Sequence, residues 1–228
     1  MINEKEKNES KYKVEYLGEK FSKDLQTYKV IVLGLYGVGK TSIVNKLMNK
    51  DTNKEYSPTI SVDLKYFQVK INDKIIQIQI WDCCGNDEFA LNTPNLFKNA
   101  KVAILIYAIN DKNKSFKDIE SWYNMVLKHS YCNILFLIGN KRDLEKERKV
   151  TIEDAENFKK NYDDIKIFFE TSAKSGENID KLLENIAISI FEKNEKEEKD
   201  LENEMNKNIL IKRDVNNHKN KNKKKLIC

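Results

Sequence analysis

The chain is poor in residues that break or staple structure. Its 228 residues include only seven glycines, two prolines, four cysteines and two histidines. Cys83, Cys84, Cys132 and Cys228 show no paired C-x-x-C spacing, which argues against zinc sites and a disulfide framework and fits a reducing compartment. No apolar run approaches the roughly eighteen residues needed to span a bilayer. The charged N-terminus also lacks the hydrophobic segment of a secretory signal. The expectation is a cytosolic protein whose only membrane contact is an anchor. His129 and His218 have no ligand partners in the sequence, and His129 reads as a solvent-facing residue at a helix end.

Charge is unevenly spread. The formal net charge is +5, but residues 207–228 hold eight Lys or Arg against Asp214 alone, which leaves residues 1–206 slightly acidic. A nucleic-acid-binding domain would carry its basic stripe on a folded face. Here the basicity belongs to a tail, so no nucleic-acid partner is expected. The length suits one domain plus tails.

With glycine scarce, its placement is informative. Three of the seven fall in Gly34-Leu35-Tyr36-Gly37-Val38-Gly39-Lys40-Thr41, between the apolar run 29–33 and a helical pattern that begins at Ser42. Strand, glycine-rich turn and helix N-terminus in that order are the context a P-loop requires. Such a turn directs backbone N–H groups inward at the positive end of a helix dipole, a nest for phosphate. Lys40 is placed to reach the outer phosphates, and the Thr41 hydroxyl to hold a bridging Mg²⁺.

The chain then reads in order. Residues 1–27 are charged and weakly patterned and read as a flexible arm that packs locally through Tyr16, Leu17 and Phe21. Residues 28–193 alternate strand and helix patterns, with Asn72-Asp73 as a hairpin signal and a continuous apolar run at 101–108, typical of a buried parallel strand. Thr151 with Asp154 forms a capping-box pattern before a helix. The predicted fold is α/β, a six-stranded mostly parallel sheet with helices on both faces and ligands at the carboxyl ends of the strands. Residues 194–228 read as a polar basic tail, helical to about 206 and disordered beyond.

Four more segments fall at strand ends or in irregular loops. Asp82, in Trp81-Asp82-Cys83-Cys84-Gly85, suits Mg²⁺, and the Gly85 N–H suits a γ-phosphate. Asp143, in Asn140-Lys141-Arg142-Asp143, can accept from both guanine N1–H and N2–H, donors that adenine lacks. Thr171-Ser172-Ala173-Lys174 follows the last strand, in reach of the base oxygen, and Pro58-Thr59-Ile60 sits in the first irregular loop.

Over about residues 27–193 these motifs resemble the Ras superfamily of small GTPases, and within it the Rab family. The Rab likeness rests on Pro58-Thr59-Ile60-Ser61-Val62-Asp63-Leu64, on Ile80-Trp81-Asp82 and on the tail. The resemblance implies GTP/GDP held by Leu35, Tyr36, Gly37, Val38, Gly39, Lys40, Thr41, Ser42, Thr59, Asp82, Gly85, Asn140, Lys141, Asp143, Ser172, Ala173 and Lys174, and Mg²⁺ held by Thr41, Thr59 and Asp82. It implies catalysis by Lys40, Thr59 and the residue at position 86, with two loops that order only around the γ-phosphate. It also implies a monomer that meets an exchange factor, a GTPase-activating protein, a GDP-dissociation inhibitor or escort protein, and effectors, and that cycles between cytosol and the cytoplasmic face of an intracellular membrane.

Several positions depart from the family pattern. Asn86 replaces the usual water-orienting Gln and is one methylene shorter; Tyr36 replaces a small P-loop residue beside the path of an arginine finger. Both point to slow hydrolysis, and a near-inactive GTP-loaded scaffold stands as the alternative. Thr52 stands where an aromatic commonly covers the guanine face, and the aromatic triad of many Rab proteins reads here as Leu64, Trp81 and Leu96. Cys83 and Cys84 replace Thr-Ala and read as inert small residues. The chain ends Lys223-Lys224-Lys225-Leu226-Ile227-Cys228, not in a C-a-a-X box, and prenylation of the single Cys228 is the natural inference. An ATPase or nucleoside kinase is disfavoured by Asp143.

Overall fold

The computed structural model describes residues 11–50, 59–86, 94–130, 132 and 134–224, with side chains to residue 205. Seven strands form one sheet: β1 (Val14–Gly18), β2 (Thr27–Leu33), β3 (Val62–Ile71), β4 (Lys74–Cys83), β5 (Ala100–Ala108), β6 (Leu135–Asn140) and β7 (Ile165–Glu170), in the order β1-β3-β4-β2-β5-β6-β7. From β4 to β7 the pairings are parallel, while β3 is antiparallel to both β4 and β1. The Asn72-Asp73 turn joins β3 to β4 as expected, with Asn72 in the left-handed conformation its short polar side chain tolerates.

Each central strand is apolar on both faces because each face is covered. In β2, Val30 and Val32 meet α1 (Lys40–Leu47) and the apolar side of α4 (Ile179–Lys224) through Ile43, Leu182 and Ile186. Ile31 and Leu33 meet α2 (Ile119–His129) through Trp122 and Val126, within the cluster that also takes in Ala155 of α3 (Ile152–Lys160). Both clusters are dry, with Val30, Ile31, Leu33, Ile186 and Val126 at zero exposure. The Thr151/Asp154 capping box forms with both of its hydrogen bonds.

Two departures from the sequence expectation concern the ends. The sheet has seven strands, not six, because part of the expected N-terminal arm is β1, paired with β3 from Val14↔Ile71 to Gly18↔Gln68. Its packing does run through the expected aromatics: the Tyr16 ring lies 5.6 Å from Phe67 and the Phe21 ring 5.1 Å from Tyr66. The fully buried Gln77 ties the segment behind β1 to the sheet, accepting from Ser22 N–H at 2.7 Å and donating to the Thr27 hydroxyl at 2.7 Å. At the other end α4 continues to Lys224 rather than dissolving at residue 206. Residues 194–224 contain no Gly or Pro and many Lys and Glu, so nothing breaks the helical ladder. The chain divides into a unit ending at Ile190 and a second beginning at Phe191.

His129 is half-buried against Phe97, ring to ring at 5.7 Å, rather than solvent-facing. Among the described residues no helix is long and apolar enough to cross a membrane.

The Tyr16 contact yields a two-sided prediction. Its buried hydroxyl has no hydrogen-bond partner among the described residues, and burial raises its pKa. Tyr16→Ala, which loses the ring, should cost about 2 kcal/mol in urea unfolding. Tyr16→Phe, which loses only an unsatisfied polar group, should be neutral or stabilising.

Candidate functional site

Four segments far apart in sequence meet at the carboxyl ends of the parallel strands. The glycine-rich turn leaves β2, Asp82 lies near the end of β4, Asn140 ends β6, and Thr171 to Lys174 follow β7. Register brings them level, with Val32 beside Asp82, Ala108 beside Asn140 and Gly139 beside Glu170.

Gly39 is the N-cap of α1 and has φ 97°, with no side-chain cap. A Cβ there would be strained and would run into the Asn140 side chain, so glycine is required. The first-turn N–H groups of α1 have no intrahelical acceptors, which leaves a positive, uncapped helix end facing the cavity. Lys40 lies over the turn and donates to Gly34 O at 2.8 Å and Leu35 O at 3.0 Å. It is 6% exposed, and burial lowers its pKa to about 8 against the pull of Asp82.

Asp82 is wholly buried, and among the described residues neither carboxylate oxygen has a hydrogen-bond partner. Burial raises its pKa, while the neighbouring Thr41 hydroxyl, Lys65 and Lys40 pull it down. A dry, unsatisfied carboxylate calls for a cation. Nearby, the Thr41 and Thr59 hydroxyls are 3.0 Å apart, two neutral oxygen donors of the kind Mg²⁺ accepts. Among the described residues no group of three or more acidic, His or Cys side chains could hold a metal ion by itself, so any shell the side chains provide here is partial. The donor set fits Mg²⁺.

Two adjoining cavities occupy this edge. One, of about 180 Å³, is lined by Gly37, Lys40, Thr41, Thr59 and Gly85, with Tyr36 69% exposed at its rim. The other, of about 370 Å³, is lined by Asn140, Lys141, Asp143, Ala173 and Lys174. Gly39, Ser42 and Lys141 line both, so the two are one continuous groove running from anion nest to Asp143.

The wide end is held by Asn140. Its amide donates to Val38 O at 2.8 Å and accepts from Ala173 N–H at 3.2 Å and the Thr171 hydroxyl at 3.3 Å, at 1% exposure. Within the Thr171–Lys174 segment, Ser172 donates to Asp143 Oδ1 at 2.6 Å and accepts from Ser175 N–H at 3.1 Å. Its hydroxyl orients the carboxylate. Lys141 is left-handed, φ 67°, a strained conformation for a non-glycine residue and one concentrated at ligand sites. The Arg142–Glu177 ion pair, absent from the sequence reading, joins the two loops across a separation of 35 residues.

At the narrow end Gly85 O accepts from Tyr36 N–H at 3.1 Å, and a Cβ on Gly85 would overlap that backbone. Asn86, beside it, is exposed. Cys83 and Cys84 are buried, and burial pushes the Cys83 thiol up to about 12, which makes it inert as expected. The expected aromatic-triad positions do not form one surface. Leu96 is completely buried, whereas Leu64 is 45% and Ile60 92% exposed, and Trp81 is half-buried opposite Leu64. Thr52, Pro58 and Cys228 lie outside the described residues.

The family model described as the Ras family matches residues 29–192. The chain belongs to the Ras family. It is 36% identical over 165 residues to the Ras-related protein Rab-13 of Rattus norvegicus, a match covering 72% of this chain and 80% of that protein. The Mesocricetus auratus and Bos taurus proteins of the same name are 35% and 34% identical over the same coverage. This Rab-type member of the Ras superfamily is thus a small GTPase that binds GTP and GDP.

Because Asn140 satisfies three otherwise buried backbone and hydroxyl groups, Asn140→Ala should destabilise the Rab-type domain by about 2–4 kcal/mol. Thermal unfolding with and without guanine nucleotide measures this, and the variant should also fail to retain nucleotide through purification.

Proposed function

We propose that this Rab-type GTPase is a guanine-nucleotide switch of vesicular traffic, and that its hydrolysis is slow. What carries the reading is the groove that joins the Lys40/Thr41 anion nest to the Ser172-oriented Asp143 carboxylate. Leu35 to Ser42 cradle the phosphates, Lys40 neutralises their outer charge, and Asp143 accepts from guanine N1–H and N2–H while Asn140, Lys141, Ala173 and Lys174 shape the base site. Thr41, Thr59 and Asp82 hold Mg²⁺, which when bound neutralises phosphate charge. Thr59 and Gly85 sense the γ-phosphate and Asn86 orients water, whose oxygen attacks phosphorus as the bond to GDP breaks.

Two features support slow turnover. Asn86 is short by one methylene, and the Tyr36 ring stands exposed at the rim where an arginine finger would enter. An arginine finger supplies about 10³–10⁵ in rate, so obstruction there outweighs most other changes. The same two features favour a second reading, a GTP-loaded scaffold with hydrolysis nearly absent. The exposed Ile60, and Leu64 opposite Trp81, suit an effector. Exchange factor, GTPase-activating protein and GDP-dissociation inhibitor complete the cycle, and prenylated Cys228 with the basic tail attaches the protein to an anionic membrane face.

Purified protein should retain guanine, not adenine, nucleotide in magnesium buffer, identified by chromatography of the released ligand. Asp143→Asn, which replaces one of the two acceptor oxygens facing guanine N1–H and N2–H with an NH₂ donor, should weaken GDP binding by about 100-fold or more. In single-turnover assays Asn86→Gln should raise the hydrolysis rate by about tenfold, or 1.36 kcal/mol. Equal rates would sink the water-orienting assignment. No measurable hydrolysis in either form would favour the scaffold.

A further inference from the structure

Lys29 is a charge in an unusual place. It opens the buried core of β2, is 9% exposed and has no carboxylate partner among the described residues. Its ammonium donates to Asn95 O at 3.2 Å and Lys98 O at 3.1 Å, in the Pro94–Leu96 helical turn and the residues just after it. It also sits 3.5 Å from the centroid of the Trp81 ring. Three donors thereby meet three acceptors, two carbonyls and a π-face. Burial lowers its pKa to about 8, the cost of holding a cation there.

Trp81 needs such a partner. Among the described residues its buried indole N–H has no hydrogen-bond acceptor, so no polar tether among them fixes the ring's rotation. The backbone places it directly opposite Leu64, which is 45% exposed. From these contacts we infer that Lys29 is the positioning residue for Trp81: its ammonium clamps one face of the indole to the 94–98 segment and so sets the ring that stands opposite the half-exposed Leu64. A partner presenting an apolar side chain there meets a ring of fixed orientation. That last point rests on the proposed switch function; the clamp itself does not.

The clamp is tested on the full-length purified protein. The sequence holds only two tryptophans, and Trp122 is 1% exposed, so the acrylamide quenching of Trp81 is obtained by difference against Trp81→Phe. Lys29→Met keeps length and loses charge, and should raise Trp81 quenching by about twofold or more, whereas Lys29→Arg, which keeps the cation, should restore it. Unchanged quenching in a Lys29→Met protein with wild-type far-UV circular dichroism overturns the inference. A second measurement leaves Lys29 intact, in case the Met variant does not fold. In protein labelled with ¹³C at lysine Cε, the Lys29 signal should lie upfield of the other lysines through the indole ring current and rejoin them in Trp81→Leu. A Lys29 signal at the same position in both proteins overturns it too. Bound nucleotide is assayed in every variant, so loss of guanine specificity would sink the switch reading while leaving the quenching result to judge the clamp.

Discussion

The geometry of the groove depends on the hydrogen-bonded amide of Asn140. In a dry site an amide with one donor satisfied by Val38 O and its oxygen shared by Ala173 N–H and Thr171 has little freedom left. It fastens the turn after β2 to the loop after β7, two segments more than 130 residues apart. Leaving any of these buried groups unmade would cost about 1–3 kcal/mol, so the base end of the groove is built as one piece. Gly39 belongs to the same constraint, since any side chain there would occupy the space Asn140 needs.

The phosphate end is built differently. There, among the described residues, Asp82 is buried with both oxygens unsatisfied, the Thr41 and Thr59 hydroxyls satisfy each other, and Gly85 is joined to Tyr36 by a single backbone bond. Groups whose needs are unmet, or met only by one another, gain most from a charged ligand and its cation. The proposed switch requires this asymmetry: one end would hold the nucleotide in either state, and the other would change partners with the γ-phosphate. The contrast supports assigning the conformational response to the loops of Thr59 and Gly85 rather than to the base loops.

Much of this was legible beforehand. The P-loop, Asp82, Asn140 to Asp143 and Thr171 to Lys174 are short local patterns whose chemistry depends on spacing, and the structure brings all of them to one edge. The missed features are those that depend on what lies opposite. Val14–Gly18 has only five residues and a half-exposed pattern, so its identity as a strand comes from its pairing with β3 rather than from its own periodicity. Leu96 reads in the sequence as an aromatic-triad position yet is fully buried, because the Pro94–Leu96 turn packs it into the cluster beneath α2. Ser172 bonds to Asp143, a role no tetrapeptide reveals.

The amino-acid order alone determined the glycine-rich turn before α1, the alternation of strand and helix, and the carboxylate proposed to select guanine, because backbone freedom at glycine, side-chain period and donor–acceptor complementarity are local properties. Only the tertiary structure decided that the N-terminal segment adds a seventh strand, that Leu96 is withdrawn from the surface, and that Lys29 faces Trp81. Those outcomes are set by long-range competition for burial and hydrogen bonds, where a residue's fate depends on partners that sequence distance does not disclose.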